Sequence, residues 1–342
     1  MYKMVKCEDN FAKVLKTFNH YNITIIIAFH HLNHTMDIRY IKHEDINRKK
    51  WDSCVHYATN ASPYAYTWYL NNVCEEWDGI IEGDYESVFP LVWNNRLAGY
   101  KRLFQPQFCQ QLGLFSTRIL SQPRMAAFLE AIPHKFRYID IYLNERNFVP
   151  SQTDFEVFQR PNYQLSLADD YDNIRKNYST NLKRNLKKAA QHQLTFTTSI
   201  TPETLVTLFR THQGKHIANM TDASYHTLHR IIYNALHRGQ GFITGIQDEN
   251  GELCAAAFFL TGHGKIINLL PSSSPKGKKI SAMHILLDVL IRNNAGRPVV
   301  LDFEGSAISS IARFYQSFGA KNVPYSRIKR NNLPFWLKWL KK

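Results

Sequence analysis

Two carboxylates two residues apart, Asp302 and Glu304, stand near the head of the segment LDFEGSAISSIARFYQSFGAKNVPYSRIKR, Leu301 to Arg330. Carboxylates so placed can take a proton from an ammonium group, directly or through water, and Glu304 is the favoured base. Tyr315, on the helix that follows, adds a phenol hydroxyl, which can both donate and accept a hydrogen bond. Each residue also has a plain structural reading. An aspartate before a helix is a common cap, and Tyr315 shares an apolar helix face with Ile311 and Phe318. His284, between Met283 and Ile285, is a reserve base that reads equally as a packed histidine.

The elements that must carry these groups are legible around them. Val299, Val300, Leu301 and Phe303 make a short apolar run suited to a buried strand, in which Asp302 and Glu304 would share a side. Gly305 and Ser306 break it, with Ser306 placed as an N-cap. Ile308, Ile311, Ala312, Tyr315 and Phe318 repeat at helical spacing, and Gly319 sits where a C-cap belongs. A basic strand returns after it. Polar groups at a strand's carboxyl end, just before a helix, are where α/β proteins gather chemistry.

Two basic stretches could hold phosphates. In SSSPKGKKISAMHILLDVLI, Ser272 to Ile291, a loop holding Gly277 opens into a helix at Ser281. Free backbone N–H groups there can face a pyrophosphate, and Lys276, Lys278 and Lys279 add charge. Asn173 to Gln191 reads as one long basic helix. On it Lys183 and Lys187, and Arg184 and Lys188, form adjacent i,i+4 rows that could grip phosphates of tRNA, a lipid diphosphate or CoA. The tail NLPFWLKWLKK sets Phe335, Trp336, Trp339 and Leu340 against Lys338, Lys341 and Lys342, which suits a membrane interface.

Composition bounds the function. The 342 residues suggest two domains, and 42 basic against 28 acidic residues, a net charge of +14, favour an anionic partner. Five scattered cysteines with no C-x-x-C, and 15 histidines with no H-E-x-x-H, suggest neither a disulfide framework nor a metal site. A reducing cytoplasm fits. Ile23 to Phe29 is far shorter than the roughly 20 apolar residues of a membrane span. Residues 1–35 read as a peripheral or mis-assigned extension, 36–160 as a first α+β unit and 161–342 as a second. Expected helices include Asn47–Tyr57, Tyr66–Asp78 and Arg124–Ala131, with Asn94-Asn95 as a hairpin turn. No aromatic RNA-binding signature is present, and no DNA partner is expected.

Phe314, Tyr315 and Gly319, followed by a strand, resemble the last helix–strand unit of GNAT-type N-acyltransferases. The DFEGS turn with RFYQSFGA is similar to the Fem-type branch, whose members attach amino acids to peptidoglycan precursors. YSTNLKRNLKKAAQHQ, Tyr178 to Gln193, resembles the basic helix of the same branch. The resemblance implies an α+β fold of two GNAT-like domains with mixed, largely antiparallel sheets flanked by helices. It implies a bacterial enzyme at the cytoplasmic face of the membrane or in the cytoplasm, moving an acyl group from acyl-CoA to an amine, such as one on a cell-wall precursor. In that frame Lys276, Gly277, Lys278, Lys279 and Ser281 hold CoA, and Lys183, Arg184, Lys187 and Lys188 hold the substrate. Tyr315 protonates the thiolate, while Lys279 stands where the family pattern has a second small residue. Two alternatives remain open: an aminoacyl-tRNA-dependent ligase, and a non-catalytic RNA- or membrane-binding protein of the same fold.

Overall fold

Antiparallel meanders dominate both halves of the chain. The computed structural model describes residues 36–305 and 308–337. The expected N-terminal extension, the Ser306 cap and the tail from Lys338 on lie outside the described residues. From Arg39 onward the described chain forms one compact unit.

The first half runs β1 (Ile38–Ile41), α1 (Arg48–Tyr57), α2 (Thr67–Val73), β2 (Trp77–Glu82), β3 (Ser87–Leu97), β4 (Tyr100–Phe104), β5 (Phe115–Ser116), α3 (Gln122–Glu130), β6 (Phe136–Tyr142) and β7 (Glu156–Arg160). The second half begins β8 (Tyr163–Ser166), α4 (Tyr171–Lys176), α5 (Thr180–Ala189), β9 (Thr195–Thr197), α6 (Pro202–His212), α7 (Asp222–His237) and β10 (Gly241–Gln247). It continues β11 (Leu253–Gly262), β12 (Lys265–Ser273), α8 (Pro275–Lys279), α9 (Ala282–Asn294), β13 (Val300–Asp302), α10 (Ser309–Gln316), β14 (Lys321–Asn322) and β15 (Tyr325–Asn331).

The strands form two sheets. One has the order β1-β2-β3-β4-β6-β15-β7, with β5 on β3, and the other β14-β8-β13-β12-β11-β10-β9. Each sheet contains a single parallel pair among the described residues, β4 with β6 and β12 with β13. Both pairs are reached through a helix that follows an antiparallel meander, so the halves repeat one plan. The fold is α+β, with two such units.

The chain changes sheets twice. β7 and β8 are joined by Pro161 and Asn162 yet lie in different sheets, and β15 returns from the second half to pair with β6 and β7. The basic strand expected beside the aromatic helix is therefore split. Its first two residues, Lys321 and Asn322, pair with β8, and its remainder belongs to the first sheet.

Two apolar cores hold the sheets. One joins Trp51, Tyr64, Trp68 and Phe115 from the first half to Leu228, Ile232 and Phe258 from the second. The other packs Leu182, Leu186, Leu286, Phe303, Tyr315 and Phe318 on the opposite face of the second sheet. Burying side chains of this size contributes about 1.5–3 kcal/mol each before entropy is counted.

Four local expectations change. The long basic helix is two helices, because Ser179 caps α5 by accepting from the Leu182 N–H at 3.1 Å and Tyr178 turns inward. The Tyr66–Asp78 helix stops at Val73, and Trp77 opens a fully buried strand. β3 continues past Asn94-Asn95 with a shift of register between Asn94 and Leu97; the turn falls at Ala98-Gly99, whose φ values of 49° and 81° suit a type I′ hairpin. The lysine-rich loop after β12 is itself a short helix, α8. Among the described residues no helix is long and apolar enough to cross a membrane.

Candidate active site

The parallel pair of the second sheet parts where the two carboxylates lie. β12 and β13 pair from Lys265↔Val300 to Ile267↔Asp302, then β13 ends while β12 continues to Ser273. Asn268, the first β12 residue past the pair, is only 2% exposed, and neither its amide nitrogen nor its oxygen has a hydrogen-bond partner. Phe303 follows Asp302 and stacks on Tyr315 of α10, ring centroids 4.8 Å apart.

Asp302 is buried and well supplied with donors. Its carboxylate accepts from Asn162 Nδ2 at 3.2 Å, Gln164 Nε2 at 2.9 Å and the Glu304 N–H at 2.9 Å. Lys265 Nζ stands 3.6 Å away and is also paired to Glu145. Burial raises the Asp302 pKa and the Lys265 charge opposes that. So many fixed partners make Asp302 the organiser of the turn rather than a free base.

Glu304 lies outside the strand, with a left-handed φ of 58°. The expectation that both carboxylates project from one extended strand is thus replaced by a sharp turn held by the Asp302 carboxylate. A non-glycine residue held there stores local strain, a feature that clusters at functional sites. Tyr64, from the other half of the chain, donates its hydroxyl to the Glu304 carboxylate. Burial, with some help from the Asp302 charge, pushes Glu304 up to about 8, against the opposing Tyr64 hydrogen bond. The residue nevertheless keeps part of its surface exposed. The next residue must be glycine for want of room: a Cβ at Gly305 would sit 1.8 Å from the Pro161 carbonyl oxygen.

Tyr315 is nine-tenths enclosed, and burial together with the Glu304 charge pushes its hydroxyl up, so it stays protonated through the neutral range. Among the described residues that hydroxyl makes no hydrogen bond. The Tyr69 and Tyr325 hydroxyls are likewise raised by burial and feel the Glu304 charge. His284 is elsewhere on the same face: its Nε2 lies 3.1 Å from Asn185 Nδ2, and its ring stands edge-on to Phe314 at 4.9 Å. Burial holds that imidazole below its ordinary pKa.

The lysine-rich segment is less open than its sequence suggests. Lys276 is tied to Asp248 and, at 3.2 Å, to Glu252, across the β10–β11 turn. The Gly277 N–H is spent on the Ser274 Oγ at 3.1 Å, a helix cap, and is not free for a phosphate. Gly277 serves packing: a Cβ there would meet the Cys254 carbonyl oxygen at 1.9 Å. Gly277→Ala is expected to destabilise the fold by about 2–3 kcal/mol, read as a lower urea midpoint. Lys278 and Lys279 remain exposed, and Ser281, buried with φ 61°, opens α9 without a side-chain cap. Lys183, Arg184, Lys187 and Lys188 are all exposed on α5 and form no ion pair among the described residues. The structure therefore brings Asp302, Glu304 and Tyr315 together, with Lys278, Lys279 and the four α5 cations at the surface. Among the described residues no His, Cys, Asp and Glu group could hold a metal ion.

Sequence reasoning missed Tyr64, Asn162, Gln164, Lys265, Glu145 and Asn268. The one hint for Tyr64 is the aromatic density of SPYAYTWY.

Comparison with known proteins agrees with this geometry. Residues 176–307 match the family model described as an acetyltransferase (GNAT) domain. The structure of FemX aligns with a TM-score of 0.60 at 13% identity, covering 85% of this chain and 96% of that one. A conserved protein of unknown function from Bacteroides thetaiotaomicron VPI-5482 gives 0.53 at 10% identity, covering 86% and 99%. A tandem GNAT protein from the clavulanic acid biosynthesis pathway gives 0.51 at 12% identity, covering 87% and 99%. Identities this low speak for the fold. A search of curated protein sequences finds no match.

Proposed function

We propose that this GNAT-fold acyltransferase, with the tandem architecture of the Fem-like branch, moves an acyl group from a CoA thioester to a primary amine. The observation that carries the reading is Glu304: a partly exposed carboxyl with a pKa of about 8, at the parting of the parallel pair and on the same turn as the Phe303–Tyr315 stack.

The residues divide the work as follows. An acceptor arriving as an ammonium ion loses a proton to the Glu304 carboxylate. The freed nitrogen attacks the acyl carbon, and the C–N bond forms as the C–S bond breaks. The departing thiolate takes a proton from Tyr315. The nitrogen's second proton replaces the one Tyr315 gave, so the products are an amide, a thiol and one proton released through Glu304. Asp302, fixed by Asn162, Gln164 and Lys265, holds the turn that aims Glu304. General acid and base groups of this kind contribute about 10²–10⁴-fold each.

Asn268 supports a donor that carries amide groups, as the pantetheine arm of CoA does. An amide buried with no partner costs about 1–3 kcal/mol, which a ligand amide would offset by supplying both a donor and an acceptor. Asn268→Leu, which keeps the branching at Cγ and has no polar atoms, is expected to raise the melting temperature while raising KM for acetyl-CoA about tenfold, the equivalent of one lost hydrogen-bonded contact. A lower melting temperature with unchanged KM would remove Asn268 from the donor site.

A second reading, with an aminoacyl-tRNA as donor, is favoured by one feature. Lys276 and Gly277 are committed to partners within the chain, whereas the cations of α5 are exposed and form no ion pair among the described residues. Calorimetry separates the two. Acetyl-CoA binding in the micromolar range carries the first reading. Absent CoA binding, with tRNA binding that weakens steeply with salt and is lost on replacing Lys183, Arg184, Lys187 and Lys188, carries the second.

A further inference from the structure

A cleft of about 600 Å³ opens between residues 145–155, strand β7 and the start of β15. Its inner wall is Glu145, Phe155 and Tyr325, and its exposed outer wall includes Phe148, Val157 and Gln159. The inner wall borders the site above. Glu145 is paired to Lys265, whose Nζ is 3.6 Å from Asp302, and the Tyr325 hydroxyl feels the Glu304 charge.

The lining has an unexpected charge. The chain carries +14, yet no Lys, Arg or His lines this cleft. The nearby cations face other partners: Arg327 forms a two-pronged pair with Asp140 at 2.6 Å, and Arg330 binds Asp154 at 2.8 Å. What the cleft offers is apolar surface, with Phe148 55% and Val157 41% exposed, and neutral hydrogen-bonding groups such as Gln122, Gln159 and Ser326. The one charged lining residue is Glu145, whose charge is balanced by Lys265 on Oε1 and whose other oxygen has no partner among the described residues to keep it from an N–H donor. A phosphate or carboxylate would lose its hydration there for no cation in return. An ammonium group on an apolar body fits: the body against Phe148 and Val157, the ammonium toward Glu145 and the acid turn.

We propose that this cleft binds the acyl acceptor, and that the acceptor is a primary amine on an apolar body free of phosphate. The inference rests on the acyl-transfer reading for the word acceptor, but the binding site stands on its own chemistry. A simple alkylamine and the terminal amine of an uncharged peptide share that chemistry, and the assay separates them.

The test compares three amines in acetyl transfer from acetyl-CoA by the full chain: hexylamine, leucyl-leucinamide and phosphoethanolamine. The first two are expected to exceed the third in kcat/KM by at least tenfold, and the larger of the two values identifies the source. Val157→Arg places a cation at an exposed position of an edge strand, where folding is insensitive. It is expected to raise the amine KM about tenfold while leaving the acetyl-CoA KM unchanged; Phe148→Ser should act in the same direction. Preference for phosphoethanolamine, or an unchanged amine KM in both variants, overturns the assignment. Calorimetry with hexylamine and no donor keeps the two claims apart. Binding lost in Val157→Arg sustains the cleft even where no acetyl transfer occurs, and no binding to the native chain overturns it.

Discussion

Glu304→Gln is expected to lower kcat by about 10²–10⁴-fold, the usual worth of a general base, while making the protein more stable in mild alkali. Glutamine keeps the shape and still accepts the Tyr64 hydroxyl, but it cannot take a proton. The stability effect follows from linkage. The Glu304 pKa is raised from 4.5 in the unfolded chain to about 8 in the folded one. Between those values the folded state holds a proton that the unfolded state has released. Stability from this group is therefore full below pH 4.5 and is lost as pH rises toward 8, at about 1.4 kcal/mol per pH unit. The glutamine variant is free of that loss. Melting curves of the two proteins should separate steadily from pH 5 to pH 8, with the variant higher. A variant that melts lower across that range would mean that Glu304 is an ionised structural partner.

Tyr315→Phe is the second large effect, with kcat expected to fall about 10²-fold and stability to change by under about 0.5 kcal/mol. The ring keeps its stack on Phe303 and its place in the core, and the lost hydroxyl has no hydrogen bond among the described residues to give up. That asymmetry separates a proton donor from a packed tyrosine. If the residue only fills the core, phenylalanine leaves both kcat and melting temperature where they were. Because burial raises the hydroxyl's pKa, the native enzyme should show no alkaline loss of activity from this group near neutrality.

The parts of the site that were legible are those built by local chemistry. The acid turn and the aromatic helix announce themselves through an apolar run, a polar break and a helical repeat within one segment, and Asp302, Glu304 and Tyr315 do come together. The resemblance carried by that segment and by the basic helix agrees with the tandem fold. What could not be read was whatever depends on the chain changing sheets. Tyr64 meets Glu304 from 240 residues away. Asn162 and Gln164 reach Asp302 because β8 sits antiparallel to β13, a non-local pairing. Glycine and lysine misled for a related reason. Gly277 looks the same in sequence whether it frees an N–H for phosphate or lets a helix approach the Cys254 carbonyl, and Lys276 conceals its partners Asp248 and Glu252, which lie 28 and 24 residues earlier in the β10–β11 turn. The capping serine at 179 was visible but outweighed by the helical run on either side of it.

Catalysis in this scheme turns on the protonation of one carboxyl. The measurement that addresses it is the pH dependence of kcat/KM for acetyl transfer to an amine whose own pKa lies above 10, in the native enzyme and in Glu304→Gln. The native profile should rise with pH and level off with an apparent pKa near 8, as the Glu304 carboxyl loses its proton, and that limb should vanish in the glutamine variant. The same rising limb in both proteins would contradict the assignment of Glu304 as the base.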